Sequence, residues 1–354
     1  MTPIVLGAGP AGSMAAIHLA RRGTAPILID RDAAVVDALC GGFLSWKTAE
    51  RLRAVGIGPV QLGAHPVDTL ALIAGRSEAT ADLPSPGFGL SRHALDTALR
   101  RRAVGEGAKL EIDRARSVAH GVVEGEAREW RSDAIFLASG KHDVRGSTRP
   151  REDGDPALGL RIRLPAHERL RALLKGRIEL HLFRGGYAGI VLQEDGSANV
   201  CMALRKSLLA EAGGGPRALF GRLADANPHF AERMSFAPDD AQIDTVGSVP
   251  YGWIAHDTDP GLWRLGDQAA VIPSLAGEGM AIAMASGEAA AAAFLAGEDA
   301  RTFQRDFAHR AARPVGTAKL VWRVAETGPG ARVLGWATRA VPSLARAAMA
   351  LTRI

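Results

Sequence analysis

The chain opens with the apolar run Pro3-Ile4-Val5-Leu6, followed at once by Gly7-Ala8-Gly9-Pro10-Ala11-Gly12, and this pairing restricts the fold more than any other segment. Residues 3–6 suit a buried parallel strand, and a helix should start near Pro10. Gly7 permits the tight turn between them, Gly9 lets backbone approach a pyrophosphate, and Gly12 lets helix and strand pack closely. The first turn of that helix, with Pro10 and Ala11, aims free amides and a positive dipole end at phosphates. A second strand, Pro26-Ile27-Leu28-Ile29-Asp30, ends in a carboxylate 18 positions after Gly12, where an acid takes ribose hydroxyls. Arg31 follows it as a further cofactor contact. A lone G-x-G-x-x-G is weak evidence. Set between a strand and a helix, with Asp30 behind it, it predicts a dinucleotide site.

A second glycine-rich stretch lies far downstream. Leu265-Gly266-Asp267-Gln268-Ala269 reads as a strand end with an exposed acid. Ile272-Pro273-Ser274-Leu275-Ala276-Gly277-Glu278-Gly279-Met280 reads as another helix start. Two such remote segments imply one shared ligand, FAD held in an extended pose.

Composition sets outer bounds. At 354 residues the chain can hold one large or two intertwined domains. Two cysteines, Cys40 and Cys201, cannot build a disulfide framework, which points to a reducing, cytoplasmic setting. The N-terminal apolar stretch is already the dinucleotide strand, so no signal peptide is expected. Glu288 interrupts the alanine-rich 281–297 stretch, so no membrane span is expected. The net charge is +5 but aromatics are only 5%, without the basic, aromatic-laced stripe that nucleic acid would need. The ten histidines show no metal-ligand spacing with Cys or acids.

The tail has its own pattern. Arg332, Arg339, Arg346 and Arg353 recur every seven residues among apolar neighbours, and Pro342 must break any helix there. Two readings stay open: a helix pair packed on the body with arginines outward, or a membrane-surface element peripheral to the inner face of the membrane.

Strand and helix patterns alternate to about residue 55. Strand pieces follow in 67–83, then a helix from Arg92 to Arg102, and strands at 109–112 and 134–138. Residues 159–164, 178–183, 189–192 and 198–204 read as antiparallel strands, followed by helices in 206–232. The expected architecture is α/β: a discontinuous Rossmann-like FAD-binding domain (1–66, 88–148, 243–300), an inserted antiparallel-sheet substrate domain (67–87, 149–242), and a C-terminal helical region (301–354).

These motifs resemble the FAD-dependent monooxygenases of the aromatic-hydroxylase type and their relatives, the geranylgeranyl reductases. The likeness spans nearly the whole chain and includes an "R-x-x-L-x-x-x-L" helix, here starting at Arg92. It implies that Arg92 reaches the FAD phosphates or ribityl chain, that Asp267 beside Gly266 binds ribityl hydroxyls, and that Pro273 lies against the isoalloxazine. It also implies that Gly277, Gly279 and Met280 offer amides to the flavin pyrimidine edge. Arg116, Gly140, Gly42 and Phe43 complete the cofactor set.

The chain departs from the hydroxylase motif "A-D-G-x-x-S-x-x-R", with Ser139 for the Asp and Arg145 one place early, which leaves the hydride donor open between NADH and NADPH. No second nucleotide fingerprint appears, so either one is a transient reductant or is replaced by a protein reductant. The halogenase "W-x-W-x-I-P" stretch is absent. The reductase signature "Y-x-W-x-F-P…G-x-x-N-V-G" survives partly as Tyr187, Gly196, Asn199 and Val200, with Gly189 replacing the bulky Trp, which should widen the cavity. Leu39-Cys40-Gly41-Gly42-Phe43 is similar to the Cys-Gly-Gly loop of prenyl reductases.

Cys40, Tyr187 and His142 are the catalytic candidates. Each has a plainer reading: a buried small hydrophobe, a structural phenol and a surface loop residue. Tyr251 and His181 are further candidates to face the pocket. The leading expectation is a monooxygenase that hydroxylates or oxidises a hydrophobic, aromatic small molecule with molecular oxygen through a flavin C4a-hydroperoxide. Two alternatives stand beside it: a reductase saturating double bonds of a prenyl or polyene lipid, and a flavin-binding protein without turnover.

Overall fold

The computed structural model describes residues 2–150 and 154–354; positions 151–153 of the expected insert lie outside the described residues. Ile4–Leu6 forms the central strand of a five-stranded, wholly parallel sheet. Ile27–Asp30 and Lys109–Ile112 lie to one side of it, Ile135–Leu137 and Leu262–Arg264 to the other. All three central residues are buried, as a continuous apolar strand covered on both faces must be. Val5, Leu28, Phe136 and Trp263 face a helical layer, whereas Ile4, Leu6, Ile29 and Leu137 face a small antiparallel meander over residues 117–131.

The helical layer depends on glycine contacts. A Cβ on Gly12 would lie 1.8 Å from the Gly7 carbonyl oxygen, so the Pro10–Arg21 helix can sit this close to its strand only with glycine there. The Gly279–Leu295 helix crosses the same helix, and a Cβ on Gly287 would lie 2.3 Å from the Ala11 oxygen. These two contacts bring the N-terminal turn and the downstream glycine segment side by side.

The second sheet has eight strands in the order Ile243–Val249, Ala157–Leu164, Ala198–Arg205, Gly186–Leu192, Gly176–Phe183, His65–Ala74, Ser77–Gly89 and Phe43–Leu44. It is antiparallel except where Gly176–Phe183 pairs with His65–Ala74. Its two faces do different work. Ala188, Ile190, Val200 and Leu204 pack under the Glu168–Leu174, Pro216–Ala226 and Pro228–Met234 helices. Ile178, Leu180, Leu182, Tyr187, Gly189 and Cys201 line a cavity on the other face.

His181 points away from that cavity, against the expectation. Strand alternation sets it with Glu179 on the helix side, where it bonds Glu179 at 3.0 Å and Asn227 at 3.4 Å. Burial pushes His181 below its ordinary value, so it is a neutral core histidine. Burial alone would raise Glu179, but hydrogen bonds from His181 and Arg233 hold it at about 2.

The domain limits shift in three places. Ile243–Val249 pairs with Ala157–Leu164 as an edge strand of the larger sheet, not as part of the FAD-binding domain. Residues 65–66 and 88–89 also belong to that sheet, because His65 pairs with Gly89 and Pro66 with Phe88. Pro84 and Pro86 fall in the register shift between Val67 and Thr69, where no ladder donor is needed, so the strand continues through them. Phe43–Leu44 adds the opposite edge.

The C-terminal region forms three helices, Ala300–Ala325, Gly328–Ala340 and Pro342–Leu351, with the break before Pro342 where it was expected. The arginine stripe is incomplete. Arg332, Arg339 and Arg346 are exposed, but Arg353 is buried against Glu278. No described helix is long and apolar enough to cross a membrane.

Gly12→Ala should cost at least about 3 kcal/mol of stability, at the upper end for overpacking, because the obstacle is backbone. Urea unfolding and flavin content of the purified variant would check this; a wild-type midpoint with full flavin would contradict it.

Candidate active site

The glycine turn is drawn tight. Gly7 has φ of +105° and its amide donates to the Ile29 oxygen at 2.7 Å. The Asp30 carboxylate accepts from the Ala8 amide at 2.7 Å and pairs with Arg100 at 3.1 Å. Above the turn there is room: a Cβ on Gly9 would meet only the Arg92 guanidinium, at 3.5 Å. Arg92 is itself gripped by Asp96 through two hydrogen bonds of 2.8 and 2.6 Å. Burial alone would lower Arg92, but the Asp96 carboxylate outweighs it and keeps the charge in place. A cation fixed beside an open glycine turn and a helix N-terminus suits a pyrophosphate.

From this cradle one continuous cavity of about 960 Å³ runs to the larger sheet. Its wall takes in Gly7, Gly9, Pro10, Ala11, Asp30, Arg31, Gly42, Phe43, Arg92, Gly140, Gly266, Asp267, Gly277, Gly279 and Met280. Three predicted cofactor residues are not on it. Gly12 lies behind the turn, in contact with the strand. Pro273 is buried, while its neighbours Ile272 and Ser274 face the cavity. Arg116 has a 63% exposed side chain, 4.0 Å from Glu126 on the outer meander.

The catalytic candidates separate. Cys40 and Tyr187 line the half of the cavity beside the larger sheet. His142 lines the nucleotide half instead, where burial and the neighbouring Arg31 hold it below its ordinary value. The structure therefore groups it with Arg31 at the end of the Ile27–Asp30 strand.

In the sheet half, Tyr187 donates to Ser274 Oγ at 2.8 Å and Tyr251 shares a 2.7 Å bond with the same oxygen. Both rings pack on Trp322 with centroids 5.7 and 5.9 Å away. Burial raises both phenols well above the usual tyrosine value, so they stay protonated donors. Burial likewise pushes the Cys201 thiol up to about 12.

The loop bearing Cys40 is held from the sheet. Asn199 Nδ2 donates to the carbonyls of Cys40 and Gly41, both at 2.9 Å, and Lys141 Nζ donates to Leu39 O at 2.7 Å. Gly42 then adopts φ of +73°, and Phe43 lies against Gly277, where a Cβ would come within 3.0 Å of its ring.

Comparison with known proteins agrees with this geometry. A family described as an FAD binding domain matches residues 1–121. Digeranylgeranylglycerophospholipid reductase 2 of Methanopyrus kandleri is 29% identical over 301 residues, 78% of this chain and 72% of the relative. Menaquinone reductase of Mycobacterium tuberculosis is 31% identical over 121 residues, 33% of this chain and 29% of the relative. The flavin-dependent brominase Bmp2 superposes with a TM-score of 0.78 at 17% identity, covering 99% of this chain and 92% of its own. PqsL of P. aeruginosa, solved with 2-aminobenzoylacetate, superposes at 0.74 with 16% identity, covering 94% and 99%.

Residues 1–121 are an FAD binding domain, and the likeness in fold extends over nearly the whole chain. The chain is an FAD-dependent oxidoreductase.

The flavoenzyme carries site features that motif reading alone misses. Ser274 is the meeting point of the two phenols, and its signal was only its place after Pro273. Asn199 was visible as a signature residue, but its hold on the 40–41 carbonyls depends on a pairing 159 residues away in sequence. Glu278, at the start of the Gly279–Leu295 helix, is fully buried. Burial raises it to about 7, against the pull of Arg353, which also stacks on Trp46. Among the described residues no cluster of metal ligands is present.

Asn199→Ala removes the donor shared by the half-buried Cys40 carbonyl and the exposed Gly41 carbonyl and should cost about 1 kcal/mol. The loosened loop should also release FAD faster. Unfolding curves with and without added FAD would check both; unchanged stability and flavin retention would refute the clamp.

Proposed function

We propose that this flavoenzyme hydroxylates a hydrophobic, aromatic small molecule at the expense of molecular oxygen and NADH or NADPH. The observation that carries this reading is the sheet half of the cavity, where an apolar wall faces a cluster of three hydroxyls. Leu70, Leu72, Ile178, Leu180, Leu182 and Val271 form apolar wall, whereas Tyr187, Tyr251 and Ser274 converge on a single hydroxyl. Such a site favours an apolar ligand with one hydroxyl or carbonyl to orient.

FAD fits the nucleotide half by the open glycine turn, the fixed Arg92 and the acid at the end of the second strand. Gly277, Gly279 and Met280 would face its redox ring at a helix N-terminus, which favours negative charge there. When bound and reduced, FAD supplies the electrons that activate oxygen for transfer to an electron-rich ring. The protein's own residues have three tasks. Ser274 and the two protonated tyrosines hold the substrate's polar group through hydrogen bonds. The apolar wall excludes water from the reacting centre. Phe43 and the Cys40–Gly42 loop separate the two halves of the cavity. Overall, substrate, oxygen, NAD(P)H and a proton would give hydroxylated substrate, water and NAD(P)+. The expected test is oxygen uptake and 18O incorporation from 18O2 with long-chain phenols.

A second reading, saturation of a prenyl double bond, is favoured by one observation: the Cys40 thiol lines the same apolar half, and the relative from Methanopyrus kandleri is named as a prenyl-lipid reductase. Anaerobic turnover of a polyprenyl lipid, with no turnover of phenols in air, would select it.

Gly189 tests the cavity under either reading. A Cβ there meets its neighbours only at 3.6–3.7 Å, so a larger side chain would project into the cavity without strain on the strand. Gly189→Trp should leave flavin content unchanged and lower kcat/KM by roughly 10²-fold. Wild-type turnover in this variant would place the substrate elsewhere.

A further inference from the structure

Charge is unevenly placed along the chain. Residues 301–354 hold ten Lys or Arg against two Asp or Glu, whereas the whole chain is only +5, so the preceding part is net acidic. Within that region, the Gly328–Ala340 and Pro342–Leu351 helices are apolar on both sides. Their inner residues Leu334, Thr338 and Met349 line the cavity. Their outer residues stay in solvent: Val333 is 57% exposed, Trp336 70% and Leu351 47%. Leu344 does both, lining the cavity while 57% exposed, so the cavity reaches the surface at this hairpin. Leu320 of the adjoining Ala300–Ala325 helix adds another exposed apolar group at 64%.

A helix apolar all round normally needs cover on every side. Here the outer cover is missing, and exposed Arg323, Arg332 and Arg346 rim the patch. Among the described residues, no acid lies within salt-bridge distance of any of the three. We propose that this hairpin is an interfacial docking face for an anionic lipid bilayer, and that the cavity opens towards that bilayer. Charge decides the occupant. A second copy of the chain would bring the same unpaired arginines face to face, with no acid on the patch to answer them, whereas an anionic leaflet complements them. Trp336 has the amphipathic form suited to the headgroup level, and the arginine stems can lie along apolar surface with their charge in water. The inference deepens the proposed substrate class by stating where an apolar substrate is met. It rests on that reading only for this purpose, and its test needs no turnover.

The test is co-sedimentation of the FAD-loaded protein with vesicles of phosphatidylcholine alone or with a third phosphatidylglycerol. Binding should require phosphatidylglycerol and weaken as salt is raised. Arg332→Gln with Arg346→Gln should lower partitioning by about 30-fold, since each arginine near an anionic surface contributes about fivefold. Val333→Ser with Trp336→Ser should lower it as strongly, with flavin content and melting temperature unchanged. The arginine pair keeps the test decisive if the apolar variant folds poorly. Failure of the wild-type protein to prefer phosphatidylglycerol vesicles would overturn the inference. So would light scattering that shows a dimer dissociated by Trp336→Ser while vesicles retain neither protein. Absence of hydroxylated product, with vesicle binding intact, would count against the proposed reaction alone.

Discussion

The close crossing of two helices at Ala11 and Gly287 is the contact on which the rest depends. It needs a residue without a side chain, because the Ala11 carbonyl occupies the place a Cβ would take. Through it the Pro10–Arg21 helix, which follows the phosphate turn, is fixed against the Gly279–Leu295 helix, which begins beside the expected redox ring. One dinucleotide can then span two segments that lie more than 250 residues apart in the chain. Both ends of the cofactor site are set by backbone packed on backbone, so its length is rigid. The side chains around it have only to supply charge and shape.

The substrate half is joined to this frame by hydrogen bonds. The 32–42 segment leaves the nucleotide sheet and is received by the larger one. Arg161 donates to Asp37 at 2.7 Å and to Asp244 at 2.9 Å, Arg163 pairs with the same Asp37, and Asn199 takes the carbonyls of Cys40 and Gly41. The loop between the two halves of the cavity thus belongs mechanically to the larger sheet. Cofactor and substrate regions share one wall, positioned from both sides.

Much of the nucleotide half was legible in the sequence because its signals are local. A buried parallel strand is a continuous apolar run, and a turn-to-helix transition needs glycine at fixed offsets, so Gly7, Gly9 and Asp30 could be placed from neighbours alone. What escaped depended on remote pairing. The Ile243–Val249 segment carries Asp244, Thr245 and Ser248, a pattern that resolves as an edge strand only once Ala157–Leu164 lies beside it. The strand pieces expected in 67–83 stop short of Pro84 and Pro86, and only the register shift opposite these prolines shows why the strand runs through them. Arg116 and Pro273 sit in the right neighbourhood of the chain, yet one points to solvent and the other is packed behind the cavity wall. His181 went the wrong way for a simpler reason: alternation tells which residues share a face, but not which face meets the ligand. Arg353 kept the seven-residue spacing of an exposed stripe and still turned inward to Glu278, because spacing carries no information on a tertiary partner.

The division of the larger sheet by odd and even position bears on how such an enzyme can diversify. Residues that hold the sheet to its helices, such as Ile190 and Val200, alternate with those that shape the ligand chamber, such as Gly189 and Cys201. Exchanges at the second set leave the interlocking of the first untouched. Ligand preference and fold robustness are therefore inherited on separate residues of the same strands, and selection can reshape one while the other stays constant.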